Sequence, residues 1–261
     1  MPTFQDVLLD KKDNIALLTL NRPKALNAIS RGIIGGLREA AAYIDQDPEI
    51  RALIISGAGD RAFSAGLDIK NELLPGGSIL DGWNARTMHE ALQKCRDTFT
   101  LYEKLPVPVI AAIQGYCLGG AIEIILCCDI RLAAENAVFS MPETQLGIVP
   151  DLGGSTRLPR IIGAGMAKEL IYTGRKIDAK EALRIGLVEH VYAVKDLLSE
   201  AWKMASEIAA ANPAVIQGAK RVMNYTLSAP LDAALSFETA TSLHATQFDQ
   251  LTKARGEEKA K

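Results

Sequence analysis

The sequence predicts an α/β fold, because short and continuously apolar strands alternate with helical segments over most of its length. The chain has 261 residues, enough for one large domain with its own core. Hydrophobic residues make up 48% and charged residues 23%, which is ordinary for a folded protein and excludes a disordered chain. We expect an α/β core over residues 1–195 and a helical region over residues 196–261.

The elements of the core follow from local patterns. Apolar runs predict strands at residues 15–20, 52–56, 106–113 and 129–134, with 138–140 as a candidate fifth. Apolar positions at helical spacing predict a helix from Ile29 to Ile44, with Ser30 as its N-cap, and another over residues 85–105. Residues 115–128 are predicted to pass from a glycine turn into an apolar helix.

The signal becomes almost wholly helical after Asp178, apart from a short strand predicted at residues 187–192. Helices are predicted at residues 195–211, 213–227 and 231–251. Their apolar content exceeds what a small core needs, so we expect this region to cover the core or to mediate self-association.

Charge and cysteine content narrow the function classes. The chain has 29 Lys and Arg against 31 Asp and Glu, so its overall charge does not attract it to nucleic acid or to an anionic membrane. Its four cysteines lack the spacing of a metal site, which favours free thiols in a reducing compartment and no bound metal. The first residues lack a signal-peptide pattern, and we therefore expect a cytoplasmic location.

The most informative stretch is GYCLGGAIEIILCCD at residues 115–129. Glu123 is the one ionisable side chain in an otherwise apolar helix, and burial raises the pKa of a carboxyl toward neutrality. A structural alternative is a Glu123 ion pair with Arg131. Gly119 and Gly120, which open this helix, allow a ligand to approach the backbone N–H groups, although glycine pairs at helix starts are common.

Two further segments are candidates for a site. FSAGLD at residues 63–68 follows a predicted buried strand with small residues, and a turn without function is its alternative. The Pro- and Gly-rich stretch at residues 141–160 carries Glu143 and Asp151. These acids are solvated if the stretch is a surface loop; if they converge with Glu123, the pKa values of the group are pushed apart, giving an acid and a base. Nucleophile-elbow, phosphate-loop and dinucleotide motifs are absent from the sequence.

Five ordered stretches together resemble the crotonase, or enoyl-CoA hydratase/isomerase, superfamily. They are LNRPKALNA at 20–28, FSAGLDIK at 63–70, PVIAAIQGYCLGGAIEI at 108–124, CDIRLAAENAVFSMPETQLGIVPDLGG at 128–154 and GLVEHVY at 186–192. The resemblance covers nearly the whole chain and is closest to enoyl-CoA hydratases.

The resemblance implies a crotonase-like spiral of ββα units with a helical C-terminal trimerisation region, and assembly into a homotrimer or hexamer. It implies an acyl-CoA thioester substrate and no separate cofactor, since coenzyme A is part of the substrate. The shared chemistry is stabilisation of a thioester enolate by two backbone N–H groups, which match Leu67 and Gly120 here.

The resemblance also assigns the acids. In hydratases similar to this chain, two glutamates matching Glu123 and Glu143 hold the water that adds to the α,β double bond, giving 3-hydroxyacyl-CoA. Simple enoyl-CoA isomerases usually lack an acid at the position of Glu123. The chain departs from hydratases at Asp151, where they carry glycine and dienoyl-CoA isomerases carry aspartate. The latter usually have Asp at the position of Glu123.

The preferred interpretation is a hydratase, with Asp151 as a third acid of the site. The alternatives are a dienoyl-CoA isomerase that uses Glu143 and Asp151, and a non-catalytic acyl-CoA-binding or RNA-binding homologue. The last is disfavoured because the acids are present and no basic face is seen.

The resemblance also implies which residues bind coenzyme A. For the cations among them, the alternative is that they are ordinary exposed side chains without a ligand. Candidate contacts lie in two loops, at Arg22 and Lys24 and at Ala65, Asp68, Ile69 and Lys70. A long loop over residues 73–84 is expected to border the acyl pocket and to admit an unusual acyl group.

Overall fold

The computed structural model describes residues 3–69 and 85–246, and every structural statement below refers to those residues. Ten strands and nine α-helices are found in them. The strands are β1 Val7–Lys12, β2 Ile15–Leu20, β3 Ala52–Gly57, β4 Ala62–Ser64, β5 Val109–Ile113, β6 Tyr116–Leu118, β7 Ile130–Ala134, β8 Val138–Ser140, β9 Ile177–Asp178 and β10 His190–Tyr192.

A six-stranded sheet has the order β1-β2-β3-β5-β7-β10. The first pair is an antiparallel hairpin, and each later pair is parallel. Strands β3 and β5 are almost entirely buried, which explains why their sequences are continuously apolar rather than alternating.

A smaller sheet has the order β4-β6-β8-β9. Strands β3, β5 and β7 of the large sheet are followed along the chain by β4, β6 and β8 of the small sheet. The chain therefore passes repeatedly from one sheet to the other. Helix α2 follows the first such pair and α3 follows the second. This strand–strand–helix repeat confirms the predicted α/β class.

The helices agree with the prediction in most of their length. Ser30 caps α1, because its Oγ accepts a hydrogen bond from the Ile33 N–H at 3.1 Å. Within the described residues, every helix is too short or too polar to span a bilayer. The helices are α1 Arg31–Gln46, α2 Ala85–Lys104, α3 Gly120–Ile125, α4 Gly154–Ile162, α5 Ala164–Thr173, α6 Ala179–Arg184, α7 Leu197–Ala210, α8 Pro213–Thr226 and α9 Leu231–Ala245.

Some elements differ from the sequence prediction. The stretch at 141–160 was expected to be irregular, yet α4 begins at Gly154 and contains Pro159. Strands β4, β6 and β9 have three residues or fewer, which is too short to give a periodic signal. Residues 73–84, expected to border the acyl pocket, lie outside the described residues.

The chain divides into two compact units, Met1–Ile208 and Ala209–Lys261. The first contains both sheets and a continuous apolar core. In the second, α8 and α9 pack against each other. The predicted boundary at residue 195 stays a prediction.

Asn27 joins two loops of the first unit. Its side-chain amide donates to the carbonyl oxygens of Ala58 and Ala62, both at 2.9 Å, and its Oδ1 accepts from the Arg22 N–H at 2.9 Å. The residue is fully buried, and its φ of 53° is one that asparagine tolerates better than most side chains. The loop after β2 is thereby fixed to the segment around β4.

We expect Asn27→Ala to lower the free energy of unfolding by about 2 to 4 kcal/mol, because it leaves buried backbone groups without partners. Urea denaturation of the two proteins measures the difference. Asn14→Ala is the matched control, since Asn14 also has positive φ but makes an exposed hydrogen bond to the Glu49 carbonyl. An equal loss in both variants would attribute the effect to the backbone conformation instead.

Candidate active site

The segment from β6 into α3 places Glu123 in the core of the first unit. Gly119 separates the strand from the helix and adopts φ 53° and ψ −122°, a conformation that glycine allows. Its N–H donates to the Ser140 carbonyl at 2.8 Å, which fixes the turn to β8. All six residues of α3 are buried, so the helix carries the Glu123 side chain inward.

The Glu123 carboxyl is held by backbone donors. Its Oε1 accepts from the Leu152 N–H at 2.9 Å and from the Gly154 N–H at 2.8 Å. The predicted alternative, an ion pair with Arg131, is wrong, because Arg131 pairs with Glu189 across β7 and the segment before β10. Glu123 is therefore buried, with 2% exposure, and within the described residues no cation is among the hydrogen-bond partners of its carboxyl.

Glu143 lies at the start of a short 3-10 helix, Glu143–Leu146, and faces the Gly119 turn. A Cβ atom on Gly119 would lie 2.6 Å from Glu143 Oε1, so only glycine leaves room for the carboxyl there. Within the described residues, Glu143 Oε2 is buried and has no hydrogen-bond partner. Such an atom is costly unless a ligand or water pairs with it.

The three acids Glu123, Glu143 and Asp151 form one electrostatic group. Burial is the largest cause that raises the pKa of Glu123 to about 8; the charges of Glu143 and Asp151 act in the same direction, and the two N–H donors partly oppose them. Partial desolvation, and then Asp151, raise the pKa of Glu143. Desolvation also raises the pKa of Asp151, and the charge of Arg96 opposes it.

The structure thus brings together the three acids that the sequence singled out, and the interpretation of 141–160 as a loop with solvated acids is wrong for Glu143. Burial and the charges of Glu143 and Asp151 all favour the protonated form of Glu123, although Asp151 itself is exposed, so the group can hold a proton at a pH where an isolated carboxyl is ionised.

Leu67 and Gly120 lie in adjoining turns. A Cβ atom on Gly66 would lie 2.5 Å from the Leu118 carbonyl and 3.4 Å from the Gly120 nitrogen. Leu67 is flanked by hydrogen bonds from Ile29 N–H to the Gly66 carbonyl and from Asp68 N–H to the Ile29 carbonyl. In the described part of the chain, no hydrogen bond uses the N–H of Leu67 or of Gly120.

The loop cations and acids have distinct environments. Arg22 donates to Asp68 Oδ2 at 2.9 Å and to the Ala28 carbonyl at 2.7 Å, so it ties the two predicted CoA-binding loops together. Ala65 is half-buried and donates its N–H to the Leu26 carbonyl. Lys24 and Ile69 are exposed, whereas Lys70 lies outside the described residues.

Some residues around the acids carry no sequence signal. The backbone donors of Leu152 and Gly154 are invisible in a side-chain pattern, although the Gly153–Gly154 pair could have indicated a tight turn. On α2, the charges of Asp151 and Glu123 contribute to the raised pKa of Cys95, and the charge of Arg96 acts on the pKa of Asp151. An amphipathic helix of this length does not reveal which of its residues meet an acid on another element.

The chain is similar to known proteins along nearly its whole length. The enoyl-CoA hydratase/isomerase family model matches residues 10–261. A crotonyl-CoA hydratase of Syntrophomonas wolfei is 39% identical over 235 residues, covering 90% of this chain and 87% of that protein. The mitochondrial Delta(3,5)-Delta(2,4)-dienoyl-CoA isomerase of Rattus norvegicus is 36% identical over 243 residues, covering 90% and 73%.

A solved structure has the same fold throughout. The crystal structure of an enoyl-CoA hydratase from Bacillus anthracis matches with a TM-score of 0.89 at 36% identity, covering 98% of this chain and 97% of that one. The residues matched by the family model, 10–261, include the segments that carry Glu123, Glu143 and Asp151. The chain belongs to the enoyl-CoA hydratase/isomerase family.

Proposed function

We propose that the protein is an enoyl-CoA hydratase, which adds water across the α,β double bond of an enoyl-CoA thioester. The observation that carries the proposal is Glu143 Oε2, which is buried beside the Gly119 turn that opens the Glu123 helix and has no hydrogen-bond partner within the described residues; the charge of Glu143 also acts on Glu123. A water held between two such carboxyls satisfies that oxygen and meets an acid and a base at once.

The N–H groups of Leu67 and Gly120 are proposed as the oxyanion hole. Water forms a bond from its oxygen to the β-carbon, and the π electrons move to the thioester oxygen, which these donors stabilise. One carboxylate takes a proton from the water, and the pair returns a proton to the α-carbon as the thioester carbonyl forms again. The glutamate pair therefore ends with the protons that it had at the start.

We expect Glu123→Gln and Glu143→Gln each to lower kcat for crotonyl-CoA hydration by at least about 100-fold, because each removes one member of the acid–base pair. Loss of absorbance of the enoyl thioester measures the rate. Near-normal hydration by either variant contradicts the assignment.

Stability provides the folding control for the Glu123→Gln variant. The pKa of Glu123 is raised in the folded state, so between about pH 4.5 and 8 the unfolded chain loses this proton first and stability falls, by up to about 1.4 kcal/mol per pH unit. A glutamine oxygen can accept the same two N–H bonds without this cost. In thermal denaturation at pH 8, we expect the Tm of Glu123→Gln to be at least as high as that of the parent protein.

A dienoyl-CoA isomerase is the second candidate, because Asp151 shares the electrostatic group of Glu123 and Glu143 and a relative is named for that activity. In that reaction Asp151 and Glu143 would move a proton along the conjugated system.

Asp151→Asn distinguishes the two candidates. For a hydratase we expect a change of less than about tenfold in kcat, with 3-hydroxyacyl-CoA still the product, because Glu123 and Glu143 keep the water. The assay follows crotonyl-CoA and a 3,5-dienoyl-CoA in parallel. A parent protein that isomerises the diene, does not hydrate crotonyl-CoA and loses its activity in Asp151→Asn would reverse the order of the candidates.

Coenzyme A is proposed to lie along the two loops that Arg22 and Asp68 join. Lys24 and Lys70 would supply positive charge to its phosphates, and Ala65 and Ile69 would contact its adenine. Arg22 and Asp68 contribute through their ion pair, which holds the loops at a fixed separation.

We expect Lys24→Ala to raise KM for crotonyl-CoA about fivefold with little change in kcat, since an exposed charge contact is worth about 1 kcal/mol. Steady-state kinetics at low ionic strength give both constants. Lys12→Ala, which removes an exposed lysine of β1, is the control. Equal KM values for the two variants would remove Lys24 from the binding site.

Self-association into a homotrimer or hexamer is also proposed. Leu231, Leu235 and Leu243 of α9 are exposed, with Leu231 72% accessible, and a groove of about 350 Å³ between α8 and α9 includes Val215 and Met223 in its lining. Apolar surface of this extent favours an interface. Phe237 of α9 packs on Tyr225 of α8.

A further inference from the structure

Arg157 connects α4 to α2 behind the turn that holds Glu123. Its Nη2 donates to Glu103 Oε2 at 2.5 Å and to Thr100 Oγ1 at 3.1 Å, and its Nε donates to Glu103 Oε2 at 3.1 Å. Glu103 and Thr100 both belong to α2, while Arg157 lies one turn into α4. The guanidinium thus makes three hydrogen bonds to one neighbouring helix.

The same guanidinium lies against Gly153. A Cβ atom on Gly153 would overlap Arg157 Nη1, and the φ of 120° at Gly153 is one that side chains rarely adopt. The Gly153 carbonyl also accepts from the Arg157 N–H at 2.7 Å. Gly153 separates the two donors of Glu123 Oε1, which are the N–H groups of Leu152 and Gly154.

These contacts form a continuous path from α2 to the reacting acid. Glu103 and Thr100 hold the guanidinium, the guanidinium packs on Gly153, and the residues on either side of Gly153 hold the Glu123 carboxyl. A lysine at position 157 would lack the planar fork that spans Glu103, Thr100 and the Gly153 backbone.

Charge acts along the same path. The positive charge of Arg157 interacts with Glu103, Cys127 and Glu123. The other titratable groups that act on Glu123 are Glu143 and Asp151, both of which disfavour its ionised form. Cys95 is reached by the same acids and stays protonated, since burial raises its pKa to about 11, and Arg96 acts on Asp151.

We propose that Arg157 is a positioning residue of the active site: held by Glu103 and Thr100, it fixes the Leu152–Gly154 turn and through it the orientation of the Glu123 carboxyl. The inference rests on the proposed function for its kinetic consequence. An ordinary, partly exposed ion pair would contribute little to stability and would leave the chemistry of Glu123 unchanged.

The test compares Arg157→Met and Arg157→Lys with Lys11→Met. Lys11 pairs with Asp47 and Glu49, both beyond the end of α1, and none of the three acids is among the charges that act on it, so its loss removes ion pairs outside the acid group. We expect Arg157→Met to lower kcat for crotonyl-CoA hydration about 10- to 100-fold with KM within about twofold, and Lys11→Met to change neither. Arg157→Lys should retain an intermediate kcat, because it keeps the charge without the fork.

Non-additivity separates positioning from loss of folding. In a Glu123→Gln background, Arg157→Met should cause little further loss of kcat, because the group that Arg157 positions no longer reacts. Glu103→Gln, which keeps an acceptor and removes the charge, repeats the comparison if Arg157→Met does not fold. Losses that multiply in full in the double variant would overturn the proposal.

A titration that needs no turnover separates this inference from the proposed function. The carboxyl carbon of Glu123 can be followed by ¹³C NMR, with Glu123→Gln identifying its signal. Loss of the cation and loosening of the two N–H donors both disfavour the ionised form, so the titration should move to higher pH in Arg157→Met. An unchanged titration overturns the positioning role. A shifted titration in a protein that does not hydrate crotonyl-CoA upholds it and overturns the hydratase assignment alone.

Discussion

The structure around the site depends on the burial of the Glu123 carboxyl. A carboxyl removed from water is costly, and here two backbone N–H groups, from Leu152 and Gly154, replace part of its hydration without supplying a full positive charge. Burial therefore raises its pKa to about 8, whereas a directly hydrogen-bonded arginine would lower it. That single arrangement requires a tight turn at Gly153, a helix that begins directly after it and a short buried helix that carries Glu123 inward.

The interleaving of two sheets supplies these requirements. After β4 and β6 the chain turns at Gly66 and Gly119, and these turns lie against each other because β4 and β6 are neighbours in the small sheet. Hydrogen bonds between Ile29 and the residues on both sides of Leu67, and from Asn27 to the neighbouring segment, hold the first turn in place. Backbone donors are thereby fixed by the framework, which lowers the cost of reorganisation during a reaction.

Local charge differs from the charge of the chain. A net charge of −2 indicates no strong partner, yet three acids share one region, and arginines on two other elements act on them. Arg96 acts on Asp151, and Arg157 packs behind the Glu123 turn. A third arginine, Arg22, pairs with Asp68 in the loop that carries Leu67. Within the described residues, none of these cations hydrogen-bonds directly to Glu123 or Glu143. Both carboxyls therefore remain able to exchange protons.

The sequence by itself determined the elements with strong local patterns and the candidate acids of the site. Strand Ile15–Leu20 and the Ser30 cap follow from apolar runs and from side-chain chemistry that act over a few residues, and a lone Glu123 in an apolar helix already indicated a buried carboxyl. Only the tertiary structure decided which groups surround that carboxyl. The donors at Leu152 and Gly154 are backbone atoms, the pairing of Arg131 with Glu189 spans 58 positions, and Arg157 reaches α2 across 54. Contacts of this kind are set by how the sheets and helices pack, and no local pattern of residues encodes them.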